Sequence, residues 1–250
     1  PERTAFCEYK FEVSYNSIKS LINPFGTMAE QEAMHAKKKT NRYLIKDHLM
    51  NMAWDIETYS AKKTGDVPLA QYDTDVVFMI CMTFHWKDSA EAIYRVCLTD
   101  KPMRSDTRWT TIWCSSQANI IKAFGIVFNH MKPDIISGFN DGDYDWPFII
   151  EKAKQFDLLP FLYSKMSAEP SQWVSTGDNI EKFYVRSRSV KISAEDTKTI
   201  TTMKFPGFIP IDVRIQFMRL YPSAERSSLN FFLKKENLDS KADMPYLTMF

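Results

Sequence analysis

Glycine is thin in this sequence, seven in 250 residues, and histidine and cysteine are thinner still at four each. So few glycines beside twelve prolines exclude a collagen-like or low-complexity chain. The histidines (His35, His48, His85, His130) form no His-x-x-His or His-Glu-x-x-His group, which argues against a zinc enzyme. Cys7, Cys81, Cys97 and Cys114 lack paired metal-type spacing, and free thiols in a chain this long fit a reducing, intracellular compartment. No apolar run approaches the ~20 residues of a membrane span, and no signal-peptide pattern opens the chain. Charge of one sign is missing too: 32 Lys and Arg meet 31 Asp and Glu, a net +1. With no global basic field, any nucleic-acid function must rest on local chemistry.

What is present is core material. The chain is 44% hydrophobic, 25% charged and 14% aromatic, the profile of a packed protein of one or two domains. It begins at Pro1 without an initiator Met and reads as a piece of something longer. Phe6, Tyr9, Phe11 and Val13 alternate in strand fashion, and a polar stretch follows with the basic cluster Lys37-Lys38-Lys39. From Met52 three strands are expected, over 52–58, 75–84 and 92–98. Ile120, Ile121, Phe124, Val127, Phe128 and Met131 then recur at helical spacing, with Ser116 as N-cap and Pro133 ending the pattern. A short strand at 134–138 and a helix from Asp145 to about Phe156 complete an α/β unit with helices packed on a central mixed sheet. Beyond Pro160 the chain looks looser, with a β-hairpin around Ala194-Glu195-Asp196 and a helix over 213–221.

Two acidic clusters carry the chemistry. Asp55 and Glu57 lie two apart on a strand, so both project from one face while Ile56 points into the core. Side by side they repel unless something positive sits between them, and all-oxygen donors favour Mg²⁺ or Mn²⁺. An exposed strand edge would read the same way. The second cluster, Asn140-Asp141-Gly142-Asp143-Tyr144-Asp145-Trp146-Pro147, follows a strand and places Asp145 at a helix N-terminus, where the helix dipole favours its ionised form. A plain N-cap in an acidic loop is the alternative.

Taken together, Asp-Ile-Glu on a first strand followed by Asn-x-x-x-Tyr-Asp-x-Pro resembles the first two exonuclease motifs of family B DNA polymerases. The flank Asp75-Val76-Val77 strengthens the resemblance, and Lys132-Pro133-Asp134-Ile135-Ile136-Ser137-Gly138-Phe139-Asn140 is similar to delta-type replicative polymerases and their relatives in large DNA viruses. Residues 52–160 carry the resemblance; 1–50 resemble a remnant of the polymerase N-terminal domain, and 51–250 the exonuclease domain.

The resemblance implies a ribonuclease-H-like α/β fold with a β-hairpin insertion, and 3′→5′ proofreading during DNA replication. It implies Asp55, Glu57 and Asp145 as ligands of two Mg²⁺ or Mn²⁺ ions, with Asn140 supporting catalysis. The expected partners are a single-stranded 3′ primer end and the rest of a polymerase chain (palm, fingers and thumb), without a membrane. In a virus the setting would be host cytoplasm or nucleus. Tyr144 stands where the family usually has Phe and serves either to stack or to pack. The family's third motif, Tyr-x-x-x-Asp, is expected beyond Phe250, since Tyr43–Asp47 precedes Asp55 and is in the wrong order; the fragment alone is expected to be weak or inactive. No palm motif is encoded, so nucleotidyl transfer would belong to the remainder.

DNA contacts would come from aromatics that stack and cations along the backbone. Phe139, Tyr144 and Trp54 lie near the acids, and the hairpin region 181–204 carries Arg186, Arg188 and Lys191 among six Lys/Arg against three acids. Each aromatic could equally be core, and the hairpin could be merely solvated. Two other functions keep the same motifs: a non-catalytic DNA-binding or scaffold domain, and a stand-alone nuclease of the same superfamily.

Overall fold

The computed structural model describes residues 14, 49–62, 65–87, 89–104, 106–168, 184–204 and 206–239. The expected strand over 6–13, the Lys37–Lys39 cluster and nearly all of the expected N-terminal remnant lie outside these residues.

Eight strands and five helices are described: β1 (Met50–Ser60), β2 (Asp75–Trp86), β3 (Tyr94–Thr99), β4 (Thr110–Trp113), α1 (Gln117–Met131), β5 (Ile135–Gly138), α2 (Asp145–Gln155), α3 (Leu159–Met166), β6 (Val185–Lys191), β7 (Thr197–Met203), β8 (Ile209–Asp212), α4 (Val213–Leu220) and α5 (Leu229–Lys235). Six strands form one sheet in the order β4-β3-β2-β1-β5-β8, and β6 pairs with β7 as a separate hairpin. β2 lies antiparallel to both β1 and β3, whereas β1, β5 and β8 run parallel. This mixed sheet with helices packed on it is the ribonuclease-H-like architecture expected from the sequence.

Period-two alternation drives β1. Met52, Trp54 and Ile56 are buried while Asp55 between them is exposed. On the next strand Val77, Ile80, Met82 and Phe84 are buried. α1 lays Ile120, Ile121, Phe124 and Phe128 against them. Ser116 starts that helix by accepting from the Asn119 amide at 3.2 Å, and Lys132, at φ 52°, ends it in the left-handed region just before Pro133. The Trp54 ring stacks on Phe124 of α1 at 5.1 Å and leans on Trp146 of α2 at 4.7 Å. Such aromatic pairs contribute about 0.5–1.5 kcal/mol each beyond their buried area. One indole thus locks β1 to both helices, one residue before Asp55.

Four elements depart from the sequence expectation. α3 occupies the stretch read as loose, because Pro160 sits in its first turn, where a missing N–H costs nothing. β8 contains Pro210 and is tolerated because it is the outermost strand of the sheet. β4 has only four residues, at the opposite edge. α5, started by Ser228 accepting from the Phe231 amide, is held by stacking of Phe217 on Phe232 at 4.8 Å.

Candidate active site

The candidate site forms where β1 outruns its parallel neighbour. β5 pairs with β1 only at Asn51, Met52 and Ala53, and ends at Gly138. Beyond that point the Ile56 amide donates instead to Oδ1 of Asp145 at 3.0 Å. The first residue of α2 is thereby pinned to the backbone between Asp55 and Glu57. Opposite the Glu57–Thr58 step, β2 carries an extra residue, Phe78, and this bulge re-aims the strand end.

Asp55 and Glu57 share the sheet face of Cys81, which lies directly across from Asp55. The Cys81 thiol is pushed up by its hydrogen bond with Cys97, then by burial, and then by the charges of both carboxylates. The expectation that Asp55 and Glu57 project together, with Ile56 in the core, agrees with this placement.

Asp145 is nearly sealed, with 4% of its surface exposed. Burial, then the Asp55 charge, push its carboxyl up to about 8, against the pull of the Ile56 amide, so the ionised form that the helix N-terminus was expected to favour is instead disfavoured. Tyr144 is half-buried, and its hydroxyl meets Thr58 Oγ1 at 2.6 Å while its ring packs on Phe148. Burial raises its phenol first, Thr58 opposes, and the Asp145 charge adds to the rise. Tyr144 is therefore a packing and hydrogen-bonding residue at the rim of the acids.

The turn between β5 and α2 is built around two more acids. Asp141 is buried, accepts from the Trp54 indole at 3.1 Å, and is pushed up to about 7 by burial and then by Asp212. Gly138 makes room for it: a Cβ there would stand 2.5 Å from Asp141 Cβ. Asp212, the N-cap of α4, accepts from the amides of Asn140 at 3.0 Å and Gly142 at 3.3 Å as well as from Arg214 and Ile215. Asn140 itself sits at φ 67°, and its Oδ1 accepts from Arg214 Nη1 at 2.5 Å. The fold thus brings Asp55, Glu57 and Asp145 to one strand end and stations Asn140 on the adjoining turn, tied to α4.

Of the expected DNA contacts, Trp54 is core, and Phe139 is half-buried with its ring 6.5 Å from Phe232. Arg186, Arg188 and Lys191 are exposed on β6. Cross-strand pairing sets Arg186 opposite Thr202 and Arg188 opposite Ile200, so these arginines share the hairpin face of Ile200. That face abuts the acidic turn, since a Cβ on Gly142 would come within 2.8 Å of Ile200 Cβ and the Thr201 amide donates to Gly142 O at 2.8 Å. Lys191 is tethered to α4 through its carbonyl, which accepts from Arg219.

Sequence reasoning places Asp141 in the second acidic cluster without giving it a role, and gives none to Asp212 or Arg214. Asp212 was detectable as an Asp opening an amphipathic helix. Arg214 left no local signal, because its partner lies 74 positions away.

Among the described residues, no group of three or more His, Cys, Asp or Glu side chains is arranged to hold a metal ion. The donors offered by Asp55, Glu57 and Asp145 are nonetheless all hard carboxylate oxygens. Burial, and after it the Asp55 charge, raise Asp145 to about 8, and a divalent cation would favour its charged form.

Comparison with known proteins identifies the family. Residues 10–230 match the family model for the exonuclease domain of family B DNA polymerases. The chain is 46% identical over 205 residues to DNA polymerase beta of African swine fever virus, covering 82% of this chain and 17% of that protein. It is 26% identical over 204 residues to a DNA polymerase of Paramecium bursaria Chlorella virus NY2A, covering 81% of this chain and 21% of the relative. A DNA polymerase of Invertebrate iridescent virus 6 is 33% identical over 120 residues, 44% of this chain and 9% of that protein. The chain belongs to the family B DNA polymerase exonuclease domains. It spans about a sixth of the length of the African swine fever virus relative.

Proposed function

We propose that this chain is the 3′→5′ proofreading exonuclease domain of a replicative DNA polymerase of a large DNA virus, with Asp55, Glu57 and Asp145 as its metal-binding and catalytic acids. The observation that carries the proposal is the bond from the Ile56 amide to Asp145, which ties the two family motifs into one acidic strand end. The three viral relatives are all named DNA polymerases, and the residues here resemble the family's first two motifs.

In this reading the three carboxylates would hold Mg²⁺ or Mn²⁺, which when bound supplies an activated water and stabilises the leaving 3′ oxygen of an in-line phosphodiester hydrolysis. The chain's own residues do the positioning. The Ile56 amide fixes the Asp145 carboxylate, leaving Oδ2 for other work. Trp54 and Gly138 fix the turn through Asp141. Tyr144, anchored on Thr58, walls the site and bounds the space for the terminal nucleotide. Asn140 faces the strand from the turn. Arg186 and Arg188 on the hairpin face nearest the turn, with Lys191 at its far end, would neutralise the backbone of a frayed primer. The template-primer and the remaining polymerase domains are the corresponding partners, and no helix among the described residues is long and apolar enough to cross a membrane.

The test is loss of the 3′ label from single-stranded DNA by the full-length protein in Mg²⁺. Release that disappears in EDTA and in Asp55→Ala/Glu57→Ala supports the proposal. Release unchanged in the folded double variant refutes it, and a folded wild type that binds DNA without hydrolysing it would favour the scaffold function.

A further inference from the structure

Arg214 reaches into the acidic turn from another element of the fold. Its Nη1 donates to Asn140 Oδ1 at 2.5 Å and its Nη2 to Ser227 Oγ at 2.9 Å. One fork of a planar guanidinium thus grips the turn and the other grips the loop that leads into α5. The residue two positions earlier grips the same turn by its backbone, since Asp212 Oδ1 accepts from the Asn140 amide and Oδ2 from the Gly142 amide. The Asn140 backbone sits at φ 67°, in the left-handed region that asparagine adopts more readily than most residues.

The chemistry of this contact fixes which way the Asn140 amide faces. Guanidinium can only donate, so the atom against Nη1 must be the carbonyl oxygen, whatever the crowding around it. The NH₂ arm is then directed away from Arg214, and it is a pure donor. We propose that Arg214 is a positioning residue of the exonuclease site: it locks the Asn140 side chain with its NH₂ group toward the bound strand, so that Asn140 contributes a hydrogen bond to an acceptor oxygen of single-stranded DNA. This rests on the nuclease reading above for the location of the strand, but not on hydrolysis itself.

The two roles separate in a double-mutant cycle on the full-length protein. Two quantities are read: the Kd for an oligo-dT strand in EDTA, and kcat and KM for release of its 3′ label in Mg²⁺. Arg214→Met is expected to lower kcat/KM by roughly ten- to a hundredfold, the cost of misplacing a positioned group. In an Asn140→Ala background the same change is expected to cost no more than about twofold, because the group it positions is gone. Asn140→Asp keeps an acceptor for Arg214 but has no N–H, so it is expected to lose as much activity as Asn140→Ala while melting no lower than wild type. Where Arg214→Met does not fold, Ser227→Ala releases the other fork and is expected to give a smaller loss that again vanishes beside Asn140→Ala.

Losses that multiply in the double variant would overturn the proposal, because Arg214 would then act on DNA directly or only on stability. Wild-type turnover by Asn140→Asp would overturn the donor role. If the wild type releases no nucleotide yet the cycle holds for strand binding, the nuclease reading fails and this one stands. Normal hydrolysis with a multiplicative cycle does the reverse, sustaining the nuclease reading and overturning the role of Arg214. Absence of strand binding rejects this proposal as well.

Discussion

Asp75 and Asp145 are equally sealed from solvent, at 3% and 4% exposure, and open two segments that flank the same strand end. Their surroundings differ completely. Asp75 accepts from Ser60 at 2.7 Å, from the Leu69 amide at 2.7 Å and from Thr74 at 3.0 Å. Burial works against its charge, but the Leu69 amide, the two hydroxyls and Lys62 outweigh it and hold the carboxyl below its ordinary value. Asp145 accepts from the Ile56 amide, faces Asp55, and rises to about 8. The first carboxylate closes the β1–β2 loop and is satisfied there. The second is kept under electrostatic stress, the condition expected of a group whose partner is a ligand. Low solvent exposure alone therefore does not mark a functional acid; depth of burial and the groups around it separate the two.

The largest effect should come from relieving that stress. Mg²⁺ at a hundred times its Kd should stabilise the protein by about 2.7 kcal/mol, read as a rise in melting temperature, and Asp145→Asn should abolish the rise. Without metal the same variant should melt no lower than wild type, since a crowded carboxyl is replaced by a neutral group that still accepts from Ile56. Equal stabilisation of both proteins by Mg²⁺ would place the cation elsewhere.

Next comes the turn that holds the second acidic cluster. Gly138→Ala drives a methyl group into Asp141, 2.5 Å from its Cβ. Overpacking of this kind costs about 1–3 kcal/mol, and the displaced turn should also reduce nuclease turnover. An unfolding titration with an unchanged midpoint would show that the turn yields freely.

Asp75→Asn should destabilise by about 1–3 kcal/mol, the cost of leaving buried partners of a carboxylate unsatisfied. The two acids also predict opposite pH responses. A folded value held below 3.8 means that stability from Asp75 is present above that pH and is lost as pH falls through the folded value. A folded value near 8 means that the metal-free protein gains stability from Asp145 as pH falls through 8 toward the ordinary 3.8. Melting temperatures of wild type and both variants between pH 4 and 9 would expose either sign as wrong. Trp54→Phe is the mildest change: it keeps the ring packing and removes the bond to Asp141, for about 0.5–1.5 kcal/mol.

How far the sequence could be read follows from where each signal resides. β1, β2, α1 and α2 were legible because alternation, helical spacing, the Ser116 cap and Pro147 are local. So was the pairing of Asp55 with Glu57 on one face. α3 and β8 were hidden by Pro160 and Pro210, whose disruptive effect vanishes in a first turn and on a sheet edge. The wiring of the site was not legible at all. The Ile56–Asp145, Trp54–Asp141 and Arg214–Asn140 bonds join residues 89, 87 and 74 positions apart, and only the sheet order brings them together.

The most direct test compares the two buried acids in one assay: release of a 3′ label from single-stranded DNA in Mg²⁺, per folded molecule of the full-length protein. Asp145→Asn should lose more than about a hundredfold, beyond what even outer-shell partners of a metal site cost, while Asp75→Asn should stay within about twofold of wild type because its hydrogen bonds go to Ser60, Leu69 and Thr74 and to none of the three acids. Comparable losses in the two, or full activity in Asp145→Asn, would contradict the assignment of the β1–α2 junction as the catalytic centre.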